Sequence, residues 1–188
     1  IVDYYKKSFI PKDSYFVGGG DINKEETLKL VEKYFSTWAG GEPLPKFKDE
    51  LKKQEGNRVI FVKKPGAVQS VISITYRMDI DPSHPDYLKL KVLNAVLGGG
   101  SFGNRLMQNL REDKAYTYGC RSSVNVNEYG SSMSAGGNFR NDVTDSAITQ
   151  ILYELDRLTT GLVEDDEINL TKSSMAGGFA RSLESPST

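Results

Sequence analysis

Histidine, cysteine and tryptophan each occur once in these 188 residues. One cysteine, Cys120, excludes an internal disulfide framework. A catalytic zinc site takes about three protein ligands, usually His with a carboxylate or Cys. One histidine, His84, with neither H-E-x-x-H nor its inverted form H-x-x-E-H, does not supply them. A Ser-His-Asp or Cys-His site would also need that one histidine, and no nucleophile-elbow glycine pattern frames a serine. An excess of one charge sign is missing too. Lys and Arg number 24, Asp and Glu 25, and the signs are interspersed. No basic patch asks for nucleic acid or an anionic membrane. No apolar run approaches the roughly 20 residues that cross a bilayer. Neither methionine nor a signal peptide stands at Ile1, and a piece of a longer polypeptide is expected. A soluble protein of the cytoplasm or periplasm fits these absences.

What is present is punctuated by glycine and proline. Ser14 to Asp21 (SYFVGGGD) reads as a short strand ending in a turn. Asn23 can cap a helix, with Glu26 completing a capping box. Leu28, Val31, Phe35 and Trp38 recur at helical spacing. Ala39 to Phe47 stops that helix, and the charged stretch Lys46 to Asn57 reads as linker. RVIFV, from Arg58, is a predicted strand, followed by a Pro-Gly turn. Ser70 to Met78 alternates, with Ile72, Ile74, Tyr76 and Met78 on one face. Ser83 and Pro85 open a predicted helix that runs through Leu97 and is buried on more than one face. Asn104 to Glu112 forms a shorter helix. Strands are predicted at Tyr116 to Val126 and Ser131 to Phe139. A long helix over Asp142 to Leu158 carries Ile148, Ile151, Leu155 and Leu158 on one stripe and closes at Gly161. Another helix starts at Asp165. Paired strands separated by helices argue for an α+β fold, a mostly antiparallel sheet covered by helices on one face.

Three features bear on chemistry. Gly98 to Gly103 (GGGSFG) matches G-x-G-x-x-G in letters, but a helix precedes it where a dinucleotide motif needs a strand. Its glycines either let two helices meet at a sharp corner or let a bare backbone approach a ligand. Cys120, within a strand, reads as a small buried apolar residue. LREDKAYTYG sets Arg111 seven residues before Tyr118. Arg111 brings a planar, permanently charged set of donors, and Tyr118 a neutral hydroxyl suited to a carbonyl or oxyanion. A helix-turn-strand corner can bring both to one surface. It can equally hold an ordinary helix-end arginine and a packed strand tyrosine.

NAVLGGGSFGNRLMQNLREDKAYTYG resembles a pattern of the insulinase- and pitrilysin-type zinc peptidases, which include the mitochondrial processing peptidases. The likeness is to the second, zinc-free domain of such a half-enzyme. The opening residues through Trp38 are similar to the element that closes the family's first domain, and VEDDEINLTKSSMAGGFARSLESP to a late helix. The resemblance implies an α+β LuxS/MPP-like metallohydrolase fold. It divides the chain into residues 1–42 from the preceding domain, a linker at 43–57, and the zinc-free domain at 58–188. It implies no cofactor in this chain, with zinc in an upstream or partner domain. Arg111 and Tyr118 fall where the family lends an arginine and a tyrosine to an extended peptide substrate, and Gly98, Gly99, Gly100 and Ser101 fall at its glycine-rich loop. The implied role is substrate binding by a hydrolase-family domain that is not catalytic alone. The alternative is a scaffold or regulatory subunit beside an active zinc peptidase. The implied partners are a peptide or unfolded protein and a zinc-bearing domain of the same family, with dimerisation open.

Overall fold

The structure, a computed structural model, describes residues 1–12, 14–42, 55–100, 103–128 and 130–184. The chain divides into two units, residues 1–50 and 51–188.

The first unit holds two helices, α1 (Val2–Ser8) and α2 (Lys24–Phe35). Asn23 caps α2 as expected, its Oδ1 accepting from the backbone N–H groups of Glu25 at 2.9 Å and Glu26 at 3.2 Å. That satisfies two donors which the first helical turn leaves unpaired. The Trp38 indole N–H donates to the Phe9 carbonyl at 3.2 Å. Residues 14–21 are not a strand. An apolar run becomes a strand only when a second backbone takes up its N–H and C=O groups, and no such ladder forms here among the described residues. The linker expected at 43–57 lies largely outside the described residues.

The second unit is built on a three-stranded antiparallel sheet of order β1-β3-β2. β1 is Gln69–Met78, β2 Cys120–Asn125 and β3 Ser131–Arg140. Ile72 lies opposite Gly137 and Ile74 opposite Ala135 on one side of β3, while Cys120 and Ser122 lie opposite the same two residues on the other. One sheet face therefore carries Ile72, Cys120, Met133, Ala135 and Phe139, all buried. The Pro-Gly turn before β1 forms as expected: Gly66 takes φ +77° and the Ala67 N–H reaches the Lys64 carbonyl at 3.3 Å. The expected strand over Arg58 to Val62 does not form, and its apolar side chains are exposed. Alternation and β-branching favour extension, but pairing must come from a neighbour.

Helices cover the apolar face. α3 (Tyr87–Asn94) runs into a π-helical turn at Ala95–Gly99, and α4 (Arg105–Met107) into another at Gln108–Asp113. A short 3-10 turn leads into α5 (Thr144–Thr160), and α6 is Asp165–Ser182. Leu97, Leu106, Leu110, Ala147 and Ile151 pack on the sheet residues in one cluster. Each fully buried large side chain there contributes about 1.5–3 kcal/mol. Two expectations shift. α3 starts at Tyr87, because Ser83 is drawn into a turn in which its N–H and hydroxyl both bond Asp81 Oδ1. Burial is confined to the end of that helical run, at Val96 to Gly98, and Leu88 is exposed. On α5 Ile151, Leu155 and Leu158 of the expected stripe face the core, joined by Ala147 and Glu154, while Ile148 is turned outward. Glu154 is 2% exposed. It accepts from Asn109 Nδ2 at 2.5 Å and Arg157 Nη1 at 3.0 Å, so its carboxylate tolerates the interior.

Candidate functional site: the corner between α4 and the sheet

Asn104 starts the corner, its Oδ1 accepting from the Met107 N–H at 3.0 Å. The helix then widens into the π-turn that carries Arg111, whose Nε lies 3.3 Å from Glu112 Oε1. The chain reverses at Ala115, with φ +51°, and the Ala115 N–H donates to the Arg111 carbonyl at 3.1 Å. The Tyr116 N–H hooks back to the Leu110 carbonyl at 2.9 Å, and the Tyr116 carbonyl accepts from the Arg140 N–H at 3.3 Å. Thr117 Oγ1 accepts from the Gly119 N–H at 3.0 Å and is hydrogen-bonded to the Asn138 carbonyl. Fixed on both sides in this way, Tyr118 projects outward and is 90% exposed.

Tyr118 forms one wall of an open depression of about 270 Å³, shared with Gln69, Thr117, Arg121 and Asn138. The floor is the backbone of Gly119, Gly136 and Gly137. A hydroxyl, a guanidinium and two amides thus meet over bare backbone, a donor-rich setting for a carbonyl or carboxylate. Arg111 is not among the lining residues; it sits at the head of the corner whose far end carries Tyr118. Gln69, Arg121 and Asn138 were not singled out from the sequence. The alternation in CRSSVN carries the signal for Arg121, since it places that side chain opposite to buried Cys120.

Gly98 is buried beneath the corner. A β-carbon there would come within 2.6 Å of both Leu106 Cδ1 and the Ser122 backbone nitrogen. A β-carbon on Gly100 would lie 2.7 Å from the Ala95 carbonyl oxygen. Close packing of helix on sheet explains glycine at 98, and the crowding of its own helical turn explains it at 100. Gly99 is exposed, and Ser101 lies outside the described residues. His84 Nδ1 accepts from the Asp86 N–H at 3.1 Å. Cys120 is fully buried, and burial pushes its thiol up to about 12. No group of three His, Cys, Asp or Glu that could hold a metal occurs among the described residues.

The second unit is thus an antiparallel sheet covered on one face by helices, with a corner that carries hydrogen-bond donors. Residues 1–175 match the family described as the Peptidase M16 inactive domain, and the chain belongs to that family, consistent with the resemblance to the second domain of such a peptidase. It is similar to a solved protease from Helicobacter pylori, with 25% identity and a TM-score of 0.71, over 89% of this chain and 41% of that one. It is also similar to a peptidase M16 inactive domain from Pseudomonas fluorescens, at 21% identity and a TM-score of 0.66, over 84% and 37%. The periplasmic protease PqqL from Escherichia coli matches at 19% identity and a TM-score of 0.62, over 88% and 18%. The chain therefore spans less than half the length of these structures. No curated protein matches it at a significant level. No helix of the described residues is long and apolar enough to cross a membrane.

Proposed function

We propose that this domain binds an extended peptide at the corner around Tyr118 and presents it to a zinc site carried by another domain of the same family. The observation that carries this reading is Tyr118 itself: a nearly fully exposed phenol, on a stretch of backbone whose neighbours Tyr116, Thr117 and Gly119 are hydrogen-bonded, at the rim of a depression lined by donors. An exposed tyrosine contributes little to the core, so its place beside the depression serves a ligand better than it serves stability. In a peptide complex the Tyr118 hydroxyl donates to a backbone carbonyl. Opposite a metal-bound nucleophile it would stabilise the developing oxyanion, and losing one such donor costs about 10²–10³ in rate. Arg111 steers and orients the peptide from the head of the corner.

On this reading the chain hydrolyses nothing by itself. The test is cleavage of a fluorogenic peptide by the domain supplied together with a zinc-bearing domain of the family, and by each alone. Cleavage that needs both, and that drops at least tenfold with Tyr118→Phe or Arg111→Ala at unchanged Tm, supports it. Cleavage indifferent to both substitutions makes the domain a scaffold. Zinc-dependent turnover by this chain alone overturns the reading.

A further inference from the structure

Four polar side chains around the depression are unengaged. The Arg121 guanidinium, the Tyr118 hydroxyl and the amides of Gln69 and Asn138 have no hydrogen-bond or ion-pair partner among the described residues. Arg105, Arg111, Arg140 and Arg157 each lie beside a carboxylate. Arg121 does not, and none of the residues lining the depression is Asp or Glu.

The strand pairing explains why this one guanidinium stands over open ground. Cys120 is buried, so alternation turns Arg121 to the outward face. Opposite it on β3 is Gly136, and two residues before it in the chain is Gly119. Neither carries a side chain that could cover the guanidinium or pair with it. A β-carbon on Gly119 would meet nothing within 4 Å, so the floor of the depression is open there.

The charge decides what fits. A neutral peptide laid over the depression would strip water from an unpaired cation and return only carbonyl dipoles, which costs free energy. A carboxylate supplies the missing opposite charge, and its two oxygens match the planar fork of an arginine. Those oxygens can also accept from the amide N–H groups of Gln69 and Asn138. A single guanidinium balances one negative charge, whereas a phosphate group carries nearly two. The chain as a whole has a net charge of −1, so its overall field does not draw anions and the attraction is local.

We propose that the depression is a carboxylate subsite centred on Arg121, which fixes one acidic group of the peptide while the Tyr118 hydroxyl takes a neighbouring backbone carbonyl. It rests on the peptide-binding reading and adds the chemistry that sets which peptides are held and in what register. The acidic group is an Asp or Glu side chain or the C-terminus of the peptide, since both present the same two oxygens.

The experiment is fluorescence anisotropy with the 188-residue chain and labelled nine-residue peptides on a common Ser-Ala background. One pair has blocked termini and carries Glu or Gln at the centre. A second pair has no acidic side chain and ends in a free carboxylate or an amide. The acidic member of at least one pair should bind about two- to fivefold tighter than its neutral counterpart, the gain of one exposed ion pair, and the pair that shows the gain names the source. The gain should shrink at high salt. Arg121→Gln should remove it at unchanged Tm, and Arg121→Lys, which keeps the charge but loses the fork, should retain part of it. Equal binding within both pairs, or a gain that survives Arg121→Gln, overturns the subsite and leaves peptide binding standing. A central phosphoserine that binds more than tenfold tighter than the central Glu overturns it in favour of a phosphate site. No binding of any peptide at millimolar concentration overturns both the subsite and the peptide-binding reading.

Discussion

Glu167 on α6 tests how the second unit is held together. Arg105 Nε donates to Glu167 Oε1 at 2.8 Å and Nη2 to Oε2 at 2.7 Å, a two-pronged pair joining α4 to α6 across 62 residues of sequence. The Arg105 side chain is only 9% exposed and that of Glu167 29%. Exposed pairs are worth about 0–1 kcal/mol, and breaking a fully buried one costs about 3–5 kcal/mol. This pair lies between, and the bidentate geometry puts it in the upper half. The attraction of Arg105 to Glu154 and Glu164 offsets part of the loss. Glu167→Gln is therefore expected to cost about 2–3 kcal/mol, or about 5–10 °C in Tm for a chain of this size. The acid response gives a second reading. The Arg105 guanidinium holds the Glu167 carboxyl below its ordinary value of 4.5. A carboxylate depressed in the folded state stabilises fully above its unfolded value and loses that contribution as pH falls through the folded one. The gap between wild type and Glu167→Gln should thus be constant from neutrality to about pH 5 and close in stronger acid. The assay is thermal unfolding followed by circular dichroism across that range. A gap under 1 °C at pH 7, or one that ignores pH, refutes the argument. In addition, Arg105→Met with Glu167→Leu together should unfold less readily than either single variant, since no unpaired charge is left in the interior.

Two further outcomes follow from packing. Gly98→Ala drives a methyl group into Leu106 and the β2 backbone and should cost about 1–3 kcal/mol, whereas Gly103→Ala, with open space around it, should not alter the denaturant midpoint. The Cys120 thiol, buried and pushed up to about 12, should resist thiol reagents at pH 8 in the native protein and react within minutes once denaturant is added; fast labelling of the folded chain would contradict the packing described.

Local signals in the sequence carried far in some places and failed in others for identifiable reasons. The Asn23 cap, the Pro65-Gly66 turn, the alternation of β1 and the length of α5 each depend on neighbours within a few residues, and the structure shows all of them. The apolar runs at 14–17 and 58–62 fail as strands because a strand is completed by a partner far away in sequence. The α5 stripe held at Ile151, Leu155 and Leu158 and failed only at its first member. Hydrophobicity favoured Ile148, but Asn109 and Arg157 satisfy a carboxylate at 154, which lets Glu154 take an inward place. Neither π-helical turn was legible, because one extra residue per turn leaves no mark on a pattern of 3.6. Around the depression, Tyr118 was singled out through its motif, while Gln69 and Asn138 come beside it only through the pairing of β1 and β2 with β3.

Ala115 is the only described residue other than glycine with a positive φ, +51°. A side chain held there stores on the order of 1 kcal/mol that a glycine would not. Exchange for glycine would relax the bend and at the same time unlatch the hinge on which Arg111 and Tyr118 are hung. Evolution of this segment towards greater robustness and towards a firmer hold on its ligand would therefore pull that one methyl group in opposite directions.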